Sequence, residues 1–141
     1  VPYEVRSFEH DGFTPAKEAA ERLTMSPDTL FKTLIVRGER NGVVLALVPG
    51  DQTLSLRKLA QQMGDKRAEM VDPSEITRLT GFVKGGVSPL GSRRAYPVFM
   101  DQTALKHPKI AVSAGVRGLM LLLSPSDLIA VVKGTTADIL E

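Results

Sequence analysis

The sequence predicts an α+β fold built on a mixed, mostly antiparallel sheet, and two observations carry that reading. About seven strand-like and four helix-like segments follow one another without strict alternation, which argues against a doubly wound parallel sheet. Neighbouring strands are in places joined by turns too short for a crossover, which makes them hairpins. The 141 residues suit one domain, 1–141, with no repeat, low-complexity stretch or linker.

The elements follow in order. Residues 3–9 alternate well enough for a strand. Thr14 then Pro15 marks a helix start, a capping hydroxyl before a residue whose φ is already set. Ala16, Ala19, Ala20 and Leu23 form the apolar stripe of that helix, and Ser26-Pro27-Asp28 breaks it in a turn. Residues 30–37 and 43–48, rich in leucine and β-branched side chains, form a hairpin whose Asn41-Gly42 supplies positive φ angles. Ser55 caps a helix through Met63 that Gly64 closes, and residues 67–71 form a short strand. Asp72-Pro73-Ser74-Glu75 opens a helix ending at Gly81, with Glu75 placed to bond back to the cap. After a glycine-rich stretch, strands are expected at 96–101, 109–113 and 118–123, then a helix from Ser126 to near Gly134.

Composition narrows the chemistry. Hydrophobic residues make up 43% and charged residues 24%, as in a folded globular chain. No apolar run, Leu119 to Leu123 included, approaches the ~20 residues of a membrane span. No charged-plus-apolar leader precedes the first strand, so no secretory signal is expected; the chain starts at Val1, as a trimmed start would. The absence of cysteine removes disulfides, thiolate metal sites and a thiol nucleophile together, and it fits a reducing cytoplasm. With only His10 and His107, a histidine-rich metal site is not expected, nor is any cofactor. A net charge of +2 permits an RNA partner without demanding one, and no DNA partner is expected.

Four features stand out as candidates for chemistry. Lys32 shares a strand face with Leu30, Leu34 and Val36, and an ammonium among apolar neighbours needs something to answer its charge. A substrate carbonyl, carboxylate or phosphate would serve; an edge-strand lysine, or one snorkelling to water, is the plainer reading. The loop from Gly85 to Gly91 holds three glycines in seven residues, which lets backbone N–H groups approach a ligand, although a connecting turn explains it equally. Val112-Ser113-Ala114-Gly115-Val116-Arg117-Gly118 joins two apolar strands. Ser113 there reads as a binder rather than a nucleophile, because no base partner is evident and Ala111 stands where a nucleophile elbow needs glycine. Lys84, Arg93, Arg94 and Arg117 flank the two glycine-rich segments and suit a phosphodiester chain, or are simply solvated.

These pieces occur together in a recognisable order. Phe8-Glu9-His10-Asp11, Phe31-Lys32-Thr33-Leu34, Gly81 through Gly91 and Val112 through Leu119 resemble the YbaK family of trans-editing aminoacyl-tRNA deacylases, relatives of the editing insert of bacterial prolyl-tRNA synthetase. The resemblance covers nearly the whole chain. It implies a barrel-like mixed sheet with flanking helices. It also implies hydrolysis, without a metal, of the ester between a wrong amino acid and tRNA, by a free-standing factor. Cysteine on tRNA for proline is the substrate of the best-known members, and alanine that of relatives. Lys32 falls on the family's essential site lysine, and Thr33, Gly86 and Ser113 on its other binding positions, with Gly85 and Gly115 beside them. Phe8 stands where cysteine-specific members have tyrosine, and Met120 where they have aspartate, so this pocket is less polar.

A mechanism fits this inventory. Lys32 and backbone N–H groups near Gly86 and Ser113 would stabilise charge developing on the ester carbonyl. Since no protein nucleophile is evident, water or the substrate itself attacks. The expected partners are aminoacyl-tRNA and prolyl-tRNA synthetase. The rivals are a non-catalytic module that binds aminoacyl-tRNA or an amino acid, and a hydrolase of another acyl ester.

Overall fold

The computed structural model describes residues 1–10 and 12–141; Asp11, which ends the Phe8-Glu9-His10-Asp11 segment, lies outside them. In chain order the elements are β1 (Tyr3–Ser7), α1 (Ala16–Arg22), β2 (Phe31–Gly38), β3 (Gly42–Pro49), α2 (Leu56–Met63), β4 (Ala68–Met70) and α3 (Ile76–Thr80). β5 (Val98–Asp101), β6 (Ile110–Ser113), β7 (Leu119–Leu123), α4 (Pro125–Val132) and β8 (Thr135–Ala137) complete them. Single 3₁₀ turns lie at Pro73–Glu75 and Gln102–Lys106.

The strands form two sheets, one of three strands in the order β1-β7-β6 and one of five in the order β4-β2-β3-β5-β8. Only β3–β5 and β5–β8 run parallel among these pairs. A parallel bridge between Leu30 and Ala111 links the sheets. The α+β class and the mixed, mostly antiparallel pairing are as expected. The barrel-like sheet of about seven strands is not: a closed barrel gives every strand two neighbours, whereas β1, β4, β6 and β8 each have one.

Local chemistry explains where element ends fall. In the β2–β3 turn only Gly42 takes a positive φ, +75°. Asn41 instead donates its side-chain amide to the carbonyls of Met63 and Gly64, at 2.9 and 3.3 Å, which ties the hairpin tip to the end of α2. Ser55 caps α2 by accepting from the Lys58 N–H at 3.2 Å, and Gly64 closes it at φ +69°. Thr14 does not cap α1, which begins at Ala16 after Pro15 without a side-chain cap. α4 starts one turn-position earlier than expected: Ser124 accepts from the Asp127 N–H, Pro125 follows as the first helical residue, and Lys133, at φ +53°, ends it. β8 escaped the pattern reading because three residues, Thr135-Thr136-Ala137, show no period.

Three apolar clusters hold these layers together. One lies between the sheets, with Phe31, Ile35, Leu47 and Met100 facing Ile110, Val112 and Leu128. A second packs Leu59 of α2 and Ile139 on Val36, Ala46 and Val48. A third seats Ala19 and Ala20 of α1 on Ala111, Met120 and Leu122. Asp101 is 1% exposed yet fully answered: it accepts from the N–H and hydroxyl of Thr103 and from the Ile139 N–H at 3.1 Å. Burying a polar group is tolerable when it is bonded in this way.

Candidate active site

β4 pairs with β2 only from Val36 to Gly38, and the bridge to β6 engages Leu30. Between them, one edge of β2 from Phe31 to Leu34 has no strand neighbour among the described residues. The Ile35 carbonyl points out from that edge, accepting from the Val71 N–H at 3.0 Å. In an antiparallel pair alternate residues turn both backbone groups the same way, so Thr33 directs its N–H and carbonyl outward too.

A cavity of about 270 Å³ opens on this edge. That is just under the usual small end of ligand sites, roughly 300 Å³. Residues 30–35 form its floor; Ala16 and Ala19 of α1, with Phe8 and Met120 of the smaller sheet's side, form one wall. Met70, Val71, Pro73 and Ile76 form the opposite wall, and Phe13, Thr14, Lys84, Gly85 and Val87 complete the lining. Among the described residues the lining holds two ammonium groups and no carboxylate, so these residues make it electropositive as well as apolar.

Two polar groups in this cavity are poorly answered. Burial pulls the Lys32 ammonium below the ordinary lysine value, and the charge of Asp51 restores it only in part. The Thr33 hydroxyl is buried with no hydrogen-bond partner among the described residues. An unpaired buried hydroxyl costs about 1–3 kcal/mol.

The sequence-derived candidates divide. Lys32, Thr33, Phe8, Gly85, Met120 and Lys84 meet at the cavity. Gly86, Ser113 and Gly115 lie outside its lining. The Gly86 N–H is spent on the Val83 carbonyl at 2.9 Å, and the Ser113 hydroxyl accepts from the Gly115 N–H at 3.2 Å. Gly86 packs on the chain at Val116 and Arg117, so these residues hold the two glycine-rich segments together. Arg117 works the same way, donating from Nε to the Lys84 carbonyl at 2.6 Å. The Arg93 N–H bonds the Thr80 carbonyl at 2.8 Å, and Arg94 lies on a separate hollow beside Lys133. The sequence reading missed Phe13 and the whole wall from Met70 to Ile76; Thr14, taken as a cap, is part of the lining.

That second wall is clamped to β2. Arg37 donates from both terminal nitrogens to Glu75, at 3.1 and 3.0 Å, and Arg78 adds a contact at 2.6 Å. This is why Glu75 does not bond back to the Asp72 cap. The Arg37 guanidinium holds the Glu75 carboxyl below the ordinary glutamate range. A carboxylate depressed in the folded state contributes stability above its unfolded pKa, and that contribution disappears as pH falls through the folded value. Glu75→Gln therefore melts below the wild type at neutral pH, and the gap closes in acid. Thermal melting at a series of pH values measures it; a constant gap sinks the assignment.

The family described as the aminoacyl-tRNA editing domain matches residues 10–131. The chain belongs to that family. Within the editing-domain family it is similar to the Enterococcus faecalis protein named "Putative Cys-tRNA(Pro)/Cys-tRNA(Cys) deacylase EbsC", 35% identical over 99% of this chain and 85% of the relative. It is also similar to the Escherichia coli protein named Multifunctional Ser/Thr-tRNA deacylase ProXp-y, 31% identical over 68% of this chain and 60% of the relative. A crystal structure described as "a putative trans-editing enzyme for prolyl tRNA synthetase" superposes with a TM-score of 0.88 at 30% identity, over 99% of this chain and 87% of that one. The editing-domain cavity thus sits in a fold shared from end to end with solved relatives. None of its helices, among the described residues, is long and apolar enough to cross a membrane.

Proposed function

We propose that this editing domain hydrolyses the ester between a wrongly attached small amino acid and the end of a tRNA, with tRNA for proline as the first substrate to test. The observation that carries this reading is a pair of neighbouring polar groups in a mostly apolar cavity: Lys32, whose charge is partly desolvated and only partly offset by Asp51, and the Thr33 hydroxyl, buried without a partner among the described residues. A fold normally pairs its buried polar groups, as it does at Asp101, and leaves them open where a ligand completes them.

Each role follows from position. The Lys32 ammonium faces the ester carbonyl and stabilises the negative charge that grows on its oxygen. The outward N–H of Thr33 replaces the Gly86 N–H as the backbone donor for that oxygen, and the Thr33 hydroxyl bonds the amino-acid part. Phe8 and Met120 make the acyl end apolar, and Gly85 leaves room for the nucleoside. Of the four cations Lys84, Arg93, Arg94 and Arg117, only Lys84 lines the cavity, and it is the one this reading gives to the phosphodiester chain; Arg117 holds its loop, and Arg94 lies on a separate hollow. Among the described residues no carboxylate, thiol or histidine lines the cavity, and in this reading the attacking group is water or a group of the substrate.

The size of the cavity suits this task. A synthetase separates near-isosteric small amino acids by only about 1–3 kcal/mol, so a second, smaller site that destroys the wrong product adds the missing discrimination. Prolyl-tRNA synthetase is the partner whose errors such a site corrects, and the cytoplasm is the compartment this reading requires.

A panel of tRNA for proline charged with cysteine, alanine or serine tests the proposal through release of labelled amino acid. Release from at least one, competed by excess uncharged tRNA, is the expected result. Binding with no release favours a non-catalytic module, and release that ignores uncharged tRNA favours a hydrolase of other esters.

A further inference from the structure

The mouth of the cavity carries an aromatic ring with no assigned task. Phe13 lines the cavity beside Lys84 and Gly85, yet 49% of it is exposed. Its surroundings are fitted to it. Gly85 adopts φ +86°, and a Cβ at that position would lie 2.8 Å from the ring carbon Cδ2, so only glycine lets the loop lie against the ring. The Lys84 ammonium sits 4.9 Å from the ring centroid, within cation–π range. The Arg117 bond to the Lys84 carbonyl holds this loop in place from the neighbouring turn.

We propose that Phe13 is a stacking platform for the terminal base of the tRNA, with Lys84 beside it for that nucleotide's phosphate. The inference rests on the deacylase reading. The ester to be cut is borne by the ribose of the last nucleotide. With the acyl group held inside at Lys32, that nucleoside lies at the mouth, where the exposed ring is. An aromatic face accepts any base, and a purine offers more area than a pyrimidine. A nucleotide brings a flat base and an anion close together, which is the pair of groups that Phe13 and Lys84 meet.

The chain contains no tryptophan, so Phe13→Trp creates a single fluorescent reporter at the platform. Its emission is expected to fall saturably as the trinucleotide cytidylyl-cytidylyl-adenosine is added, and at a lower concentration than with the same trinucleotide ending in uridine. Phe13→Ala is expected to raise KM for a mischarged tRNA about tenfold with a smaller change in kcat, and Phe13→Tyr to restore KM. No quenching by either trinucleotide, or an unchanged KM in Phe13→Ala, overturns the platform while leaving the deacylase intact. Quenching in a protein that releases no amino acid from any mischarged tRNA supports the platform and removes the deacylase reading instead. Inorganic phosphate is the control: quenching by phosphate equal to that by the trinucleotide also overturns the stacking role.

Discussion

Lys32→Met is expected to lower deacylation by at least about a hundredfold and, at neutral pH, to raise the melting temperature. The first effect follows from position. A donor aimed at the charge developing in acyl transfer contributes about 10²–10³ in rate, and no other cation lies on the cavity floor. The second follows from burial, which pulls the Lys32 ammonium below its ordinary value. Below that lowered value, folded and unfolded chains both carry the proton, and the folded chain bears the cost of a partly desolvated charge that Asp51 only partly offsets. As pH rises toward the ordinary lysine value, the folded chain sheds the proton first and the penalty is relieved, so wild-type stability rises through that window. Methionine keeps the long side chain and never carries the charge. The gap in melting temperature between Lys32→Met and wild type is therefore largest at neutral pH and shrinks in alkali. Wild-type deacylation falls over the same window as the ammonium is lost. A plain surface lysine predicts neither effect: Lys32→Met with unchanged activity and unchanged melting overturns the assignment.

Much of this site was visible in the order of residues, and the remainder was not for identifiable reasons. Lys32 stood out because a charge in an apolar strand breaks the period-2 pattern. The glycines at 85 and 86 stood out as punctuation, but sequence does not say which of the two faces a ligand. Gly85 lines the cavity; Gly86 is spent on Val83 and on packing against Val116 and Arg117. Ser113 looked like a ligand group because it is a hydroxyl in a glycine-rich turn, yet it organises that turn through the Gly115 N–H. The wall from Met70 to Ile76 was illegible because ordinary apolar residues carry no chemical mark. Only the register that pairs Val36 with Met70 brings them opposite Lys32. The open edge of β2 depends in the same way on β4 being three residues long. The two-sheet arrangement was equally hidden, since hairpin signals report which neighbours pair and not where a sheet stops.

Thr33→Val is expected to separate folding from function in the same sense as Lys32→Met, with a smaller effect on rate. The exchange of hydroxyl for methyl ordinarily costs stability, because a buried hydroxyl usually has a partner to lose. At Thr33 there is none among the described residues, so valine removes a desolvated oxygen and leaves the shape of the strand unchanged. The melting temperature is expected to rise by a few degrees, since an unpaired buried hydroxyl costs about 1–3 kcal/mol. The substrate then loses the bond that completed Thr33. Losing one hydrogen bond to a neutral group raises KM about tenfold, and kcat changes less if the bond is already made in the ground state. Thr33→Ser gives the complementary result, a lower melting temperature from the missing methyl and a KM near wild type. If Thr33→Val instead destabilises the chain and leaves KM unchanged, the hydroxyl serves the fold and the acyl group is held elsewhere. Both residues would otherwise show the signature of a site maintained against stability, in which polarity is kept in an apolar cavity because the substrate, and not the fold, satisfies it.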